Sequence, residues 1–176
     1  MKKIFLTALI FLVLAMPCYG AGSYLKVTND ALNSNRATNQ IINRVLTLVF
    51  VGEDGTGAVP SLTLNPTGWT DGTYSGYFTY PLLGWDLYKL EIDCNHAGTE
   101  PTEDSEIYIY QNGIDLLDGN GVNAIDNSAE RQIYFQTDSL PMTQPIISSL
   151  TVTVTQQAAA TASATGTIYI IMKPSK

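Results

Sequence analysis

Basic and titrating side chains are scarce in this chain. Its 176 residues include one histidine, His96, and two cysteines, Cys18 and Cys94. Lysine and arginine number nine against 16 acids, and charged residues make up only 14% of the sequence. A zinc site needs three or four protein donors, and one His with one Cys falls short. A Cys94/His96 nucleophile pair lacks a visible third group to orient it, and residues two apart on a strand need not touch. His96 reads instead as a strand-end residue leading into the loop at 97–105. So few bases exclude a basic patch for nucleic acid. The Gly-x-Ser-x-Gly elbow, the P-loop and the dinucleotide fingerprint are all missing. The acids Glu100, Glu103, Asp104 and Glu106 sit in a Thr/Pro-rich stretch, where a solvated turn is a simpler reading than a glycosidase pair. No catalytic residue is assigned, and no cofactor is expected.

Long hydrophobic runs are missing too, except at the start. Lys2 and Lys3 precede an apolar run from Ile4 to Met16 interrupted only by Thr7. Pro17 breaks the run, and Cys18 and Gly20 place small residues at −3 and −1 of a cut before Ala21. This predicts a cleaved signal peptide over residues 1–20 and a single domain over 21–176, secreted, periplasmic or at the cell surface. A lipid-anchor reading of Cys18 fits poorly, because Pro17 stands where a small residue is needed. No second run is long enough to span a bilayer. Losing Lys2 and Lys3 leaves seven bases against 16 acids, a net charge of −9. Losing Cys18 leaves Cys94 without an intramolecular partner, so the domain must hold together by burial alone, with Cys94 inside.

What the chain does have is period two. Leu62 and Leu64 alternate with polar residues, as do Ile107 and Ile109, Ile133 and Phe135, and Leu150, Val152 and Val154. Each run places aliphatic side chains on one face and Thr, Tyr or Gln on the other, the pattern of antiparallel sheets with one wet side. Tyr24–Thr28, Arg44–Val51, Trp85–Cys94 and Thr167–Lys173 read as further strands, with Tyr74–Tyr80 a weaker one. Arg44–Val51 is almost wholly apolar and reads as a central strand or one buried on both faces. In Trp85–Cys94 the alternation groups Leu90, Ile92 and Cys94 with Asp86 and Tyr88, and sets Leu87 on the opposite face. Residues 30–43 leave room for a turn or a short helix capped by Asn or Asp. Ala158–Ala164 reads as a hairpin loop between two strands. Asn112-Gly113 marks a tight hairpin with a return strand over Ile114–Leu117. About eight short strands with regular turn signals predict an all-β, single antiparallel β-sandwich, jelly-roll or immunoglobulin-like in outline.

Two stretches are candidate sites. "DLLDGNGVNAIDNS", from Asp115 to Ser128, alternates acids and amides with glycines as calcium loops do. An EF-type template starting at Asp118 finds Asn120 and then Val122 where the third ligand belongs, so it fails. The reading adopted is a surface connection without metal, with Leu116, Leu117, Val122 and Ile125 drawn towards the core. The alternative is an irregular calcium site from Asp115, Asp118, Asn120 and Asp126. The second stretch is aromatic: Trp69, Tyr77, Tyr80 and Trp85 crowd a Gly/Thr-rich segment. They suit sugar stacking or a protein interface, or else Trp69 and Trp85 cap the open end of the core.

The stretch "GWDLYKLEIDCNHAGTEPTEDSEIYIYQNGIDLLDGNG", followed by "LTVTVTQQAAATASATGTIYII", resembles small uncharacterised β-sandwich proteins encoded by phages and prophages. The similarity spans about Gly84–Met172. It implies a virion-associated or assembly role with no catalytic residues, while the export signal keeps a bacterial surface role open. The expected function is therefore a non-enzymatic, extracytoplasmic structural or interaction protein, self-associating or bound to a protein partner. The alternative is a carbohydrate-binding module using Trp69, Tyr77, Tyr80 and Trp85.

Overall fold

The computed structural model describes residues 23–52, 59–67, 81–94, 105–125, 130–137, 140–155 and 164–176. Among these the chain is all β, with no helix and two main antiparallel sheets. The predicted signal peptide and the Tyr74–Tyr80 strand lie outside the described residues.

β1 (Tyr24–Ser34) and β2 (Ile41–Gly52) form a long hairpin. Of the two readings of residues 30–43, a turn or a short helix, the structure has the turn, set between the two strand ends. Asn35 closes that turn: its side-chain oxygen accepts the Ala37 N–H at 2.9 Å, and its carbonyl accepts the Asn39 N–H at 2.8 Å. Asn and Asp bond local backbone equally well in turns and helix caps, which is why the residue types alone did not decide. β2 runs centrally, between β1 and β12 (Ala164–Pro174), but only one of its faces is buried. Leu46, Leu48 and Phe50 point inwards, whereas Val45, Val49 and Val51 are half-exposed.

β4 (Trp85–Asp93) lies on the far side of β12. Its alternation breaks at Tyr88: Met172 pairs with Leu87 and Ile171 with Lys89, leaving Tyr88 as an extra residue. This bulge puts Leu87 on the same buried face as Leu90, Ile92 and Cys94, which corrects the simple period-two phase. The outer edge of β4 is shared by β7 (Arg131–Tyr134) and β10 (Gln144–Pro145). Between them the chain leaves the edge as a small hairpin, β8 (Gln136–Thr137) with β9 (Leu140–Pro141). Its base is held by the Phe135 N–H to the Tyr88 carbonyl and the Met142 N–H to the Phe135 carbonyl.

The smaller sheet runs β3 (Leu62–Leu64), β11 (Leu150–Thr155), β5 (Glu106–Gln111), β6 (Ile114–Asp115). Asn112 and Gly113 join β5 to β6 with φ of 52° and 78°, the two positive values a type I′ turn requires. The return strand ends at Asp115 rather than Leu117. β11 and β12 belong to different sheets, so the stretch around Ala158–Ala164 is part of a crossover and not a hairpin loop. Residues 156–163 themselves lie outside the described residues. Pairing β11 with β12 is blocked because β3 and β5 occupy both edges of β11, as β2 and β4 occupy both edges of β12. The crossing from β10 to β11 is latched by the buried Gln111. Its amide donates to the Pro145 carbonyl and accepts the Ile147 and Ser148 N–H groups at 3.0 and 3.3 Å.

One hydrophobic cluster fills the space between the sheets, with Leu48, Phe50, Ile168 and Ile170 facing Ile107, Ile109, Val152 and Leu64. Each such side chain contributes about 1.5–3 kcal/mol by leaving water. Close contact also demands missing side chains. A Cβ on Gly121 would lie 1.7 Å from the Ile107 carbonyl oxygen, and one on Gly166 would lie 2.4 Å from the Phe50 ring.

The inward row of β2 begins with a charge. Arg44 is fully buried, and its Nε and Nη2 donate to the two Asp30 carboxylate oxygens at 2.8 Å each. Its Nη1 donates to the Pro81 carbonyl at 2.7 Å, and its guanidinium lies 5.6 Å from the Trp85 ring centroid. A register shift in β1 between Val27 and Asn29 brings Asp30 to the core side, while the Thr28 hydroxyl donates to the Thr47 carbonyl.

Asp30→Ala lowers unfolding free energy by about 3–5 kcal/mol, because it strands a buried guanidinium. Adding Arg44→Met to it recovers much of that loss, as urea titrations of the three proteins measure. Gly121→Ala costs at least about 1–3 kcal/mol, since the obstacle is a backbone oxygen that cannot rotate away.

Candidate functional site

The solvent side of the small sheet is made almost entirely of hydroxyls and phenol rings. Alternation sends Ile107 and Ile109 of β5 inwards and leaves Glu106, Tyr108 and Tyr110 outside. It does the same in β11, where Leu150, Val152 and Val154 are buried and Thr151, Thr153 and Thr155 face out. The register then sets Thr155 beside Glu106, Thr153 beside Tyr108 and Thr151 beside Tyr110. On the other side of β11, Thr63 of β3 pairs with Thr151, and the Ser61 hydroxyl lies 3.0 Å from that of Thr153. Neighbouring rows are about 4.8 Å apart across strands and about 6.8 Å apart along them.

The face is ordered from one end. Glu106 accepts hydrogen bonds from the Tyr108 phenol and the Thr155 hydroxyl, each at 2.9 Å. The bond to Glu106, with burial and the carboxylate's charge behind it, holds the Tyr108 phenol above the ordinary tyrosine pKa. The Tyr108 and Tyr110 rings stack nearly parallel, 5.7 Å apart at 15°. Among the described residues, the hydroxyls of Thr63, Thr151 and Tyr110 have no hydrogen-bond partner. The described part of this face bears no lysine or arginine.

A second concavity lies outside the large sheet, a shallow groove of about 290 Å³ lined by Glu91, Asp93, Glu130, Arg131, Gln132 and Tyr169. Glu91 is already engaged by the Lys89 ammonium and the Gln132 amide. That contact with Glu91 raises the Lys89 pKa despite its partial desolvation.

The residues singled out from sequence are placed unevenly. Trp69, Tyr77 and Tyr80 lie outside the described residues, as do His96, Glu100, Glu103 and Asp104. Trp85 is half-buried against the core, with its ring beside the Arg44 guanidinium. Cys94 is 1% exposed and forms no disulfide. The segment from Asp115 is no detached connection. It folds back along β5, with the Leu116 N–H bonded to the Ile109 carbonyl and the Ile107 N–H to the Gly121 carbonyl. The Ile125 N–H reaches the Ser105 carbonyl. Leu117, Ala124 and Ile125 are buried, but Val122 is 46% exposed and does not anchor the middle of the segment. Asp115 caps this fold-back: one carboxylate oxygen accepts the Leu117 N–H and the other the Gly119 N–H, both at 3.0 Å. Asn120 donates its amide to the Leu117 carbonyl. Asp118 and Asn120 are exposed, and Asp126 lies outside the described residues. No three acidic, histidine or cysteine side chains converge on one point among the described residues.

The tyrosine and threonine rows were missed as a site because each is unremarkable in its own strand. Their signal is Tyr-x-Tyr and Thr-x-Thr-x-Thr at period two, which becomes a surface only through the pairing register. No protein-family model matches the chain, and no curated protein matches it either.

Asp115→Ala removes two backbone caps and lowers stability by about 1–2 kcal/mol, by analogy with other capping carboxylates. Adding Ca²⁺ or a chelator leaves the melting temperature of the unaltered protein unchanged. A chelator-induced drop of several degrees, abolished by Asp118→Ala, would instead establish a calcium site.

Proposed function

We propose that this is a non-enzymatic, extracytoplasmic structural or interaction protein that joins a larger assembly, at a cell surface or in a virion, by adding strands at its sheet edge. The observation that carries this reading is the contrast between edges. Exposed edges are a hazard that proteins manage by shortening them, interrupting them or placing proline on them. β3 has three residues and lies between Pro60 and Pro66; β6 has two. The β4 side is covered by four-residue β7 and two-residue β10, which contains Pro145. β1 is an edge of 11 residues without proline, and no strand among the described residues pairs with its outer side. Two register shifts interrupt it, one at Thr28 and one at its end between Asn33 and Ser34. Its charges are Lys26 and Asp30, and Asp30 is neutralised inside by Arg44, so little repulsion opposes an incoming strand.

The signal-like start of the sequence and the resemblance to phage-encoded sandwiches support placement outside the cytoplasm and in an assembly. Carbohydrate binding is the second reading, favoured by the hydroxyl and tyrosine face of the small sheet.

Light scattering after size exclusion tests the main reading on the mature chain. It predicts concentration-dependent association, with Asn29→Lys/Asn33→Lys raising the midpoint concentration by about tenfold, the equivalent of about 1.4 kcal/mol. Both positions are exposed on β1, and both changes leave the core untouched. A protein that stays monomeric at millimolar concentration and captures no strand-donating subunit is not an assembly module of this kind.

A further inference from the structure

We propose that the solvent face of the small sheet binds a neutral, extended polysaccharide, whose sugar rings lie along Tyr108 and Tyr110 and across the free hydroxyls of Thr151 and Thr63. This rests on the second reading above, carbohydrate binding, and adds to it the contacting residues and the class of glycan.

Three properties of the face select that chemistry. Its charges are two carboxylates: Glu106, already satisfied by Tyr108 and Thr155, and Asp115, which pairs with Tyr110 across the strands and is satisfied by the Leu117 and Gly119 N–H groups; its described part offers no base. An anionic ligand finds no counter-charge there, so acidic glycans, nucleic acids and phosphates are disfavoured. Its outward side chains are hydroxyls and phenols rather than aliphatics, so it does not resemble the apolar centre of a protein interface. A pyranose presents apolar C–H groups on its faces and hydroxyls around its rim. Aromatic rings suit the first and hydroxyl rows suit the second.

Order supplies the third property. Tyr108 is tethered to Glu106 and stacked on Tyr110, so much of the rotamer entropy that a ligand would have to freeze is already lost. Thr151 and Thr153 are β-branched residues on a strand paired on both sides, which restricts their χ1 rotamers. The hydroxyls of Thr63, Thr151 and Tyr110 are without partners among the described residues, and Thr63 and Thr151 are register neighbours beside Tyr110. A flat, repeating array of this kind matches a flat, repeating chain with equatorial linkages better than a compact monosaccharide.

Calorimetric titration of the full mature protein with cellohexaose and chitohexaose tests this, with polygalacturonate as the acidic control. Binding to at least one neutral hexamer and none to polygalacturonate is expected. Tyr110→Ala weakens binding by about tenfold and Thr151→Val by about threefold to tenfold, with association by light scattering unchanged in both. The threonine variant keeps shape and β-branching, so it reports on the hydroxyl even if the tyrosine variant loses its fold. Absence of binding to both neutral hexamers, preference for polygalacturonate, or full affinity in Thr151→Val would overturn the proposal. Any of these alongside intact association would leave the assembly reading standing.

Discussion

A buried guanidinium organises one end of this sandwich. Arg44 lies on the inward row of β2, where Leu46, Leu48 and Phe50 meet the opposite sheet. A charge there is tolerable only with its donors satisfied, and the chain satisfies them from three places. Asp30 neutralises it through a bulge in β1, the Pro81 carbonyl takes the remaining amine, and Trp85 covers it at the start of β4. Each of those elements is thereby positioned relative to the others. An apolar residue at 44 would pack with less desolvation cost but would place no such demand on β1, Pro81 or Trp85.

The rest of the fold shows how two sheets are joined without a disulfide. One crossing and one excursion from a sheet edge use a specific polar group and a bulge instead. Gln111 satisfies the backbone where the chain leaves β10 for β11, and the Tyr88 bulge accommodates the excursion of β8 and β9 from the edge of β4. Gly121 and Gly166 let backbone and an aromatic ring approach where a methyl group would intrude. These devices cost little individually, and the single hydrophobic cluster supplies most of the stability they direct.

The surfaces follow from the same alternation that builds the core. Every inward Ile or Val of β5 and β11 leaves a Tyr, Thr or Glu facing water, so a well-buried sheet automatically carries an ordered polar array outside. The long β1 edge and the hydroxyl face lie on different sheets. The two proposed roles, assembly at the edge and ligand binding on the face, therefore fall on separate surfaces, and changes on one need not disturb the other.

Local pattern determined the strands themselves. Branched residues at period two in Leu150–Thr155, Glu106–Gln111 and Leu62–Leu64 have one way to bury their aliphatics, and Asn112-Gly113 has backbone freedom suited to one tight turn. The burial of Cys94 was legible for the same reason. Tertiary structure alone decided what depends on partners distant in sequence. Asp30 reads as a cap until Arg44 requires it, and Leu87 faces outwards until the Tyr88 bulge turns it in. The stretch around Ala158–Ala164 looks like a hairpin until the sheets on either side prove already full. Tyr108, Tyr110 and Thr151 are a surface only because β11 and β5 pair in one register, and register is set by the whole buried face rather than by any residue in it.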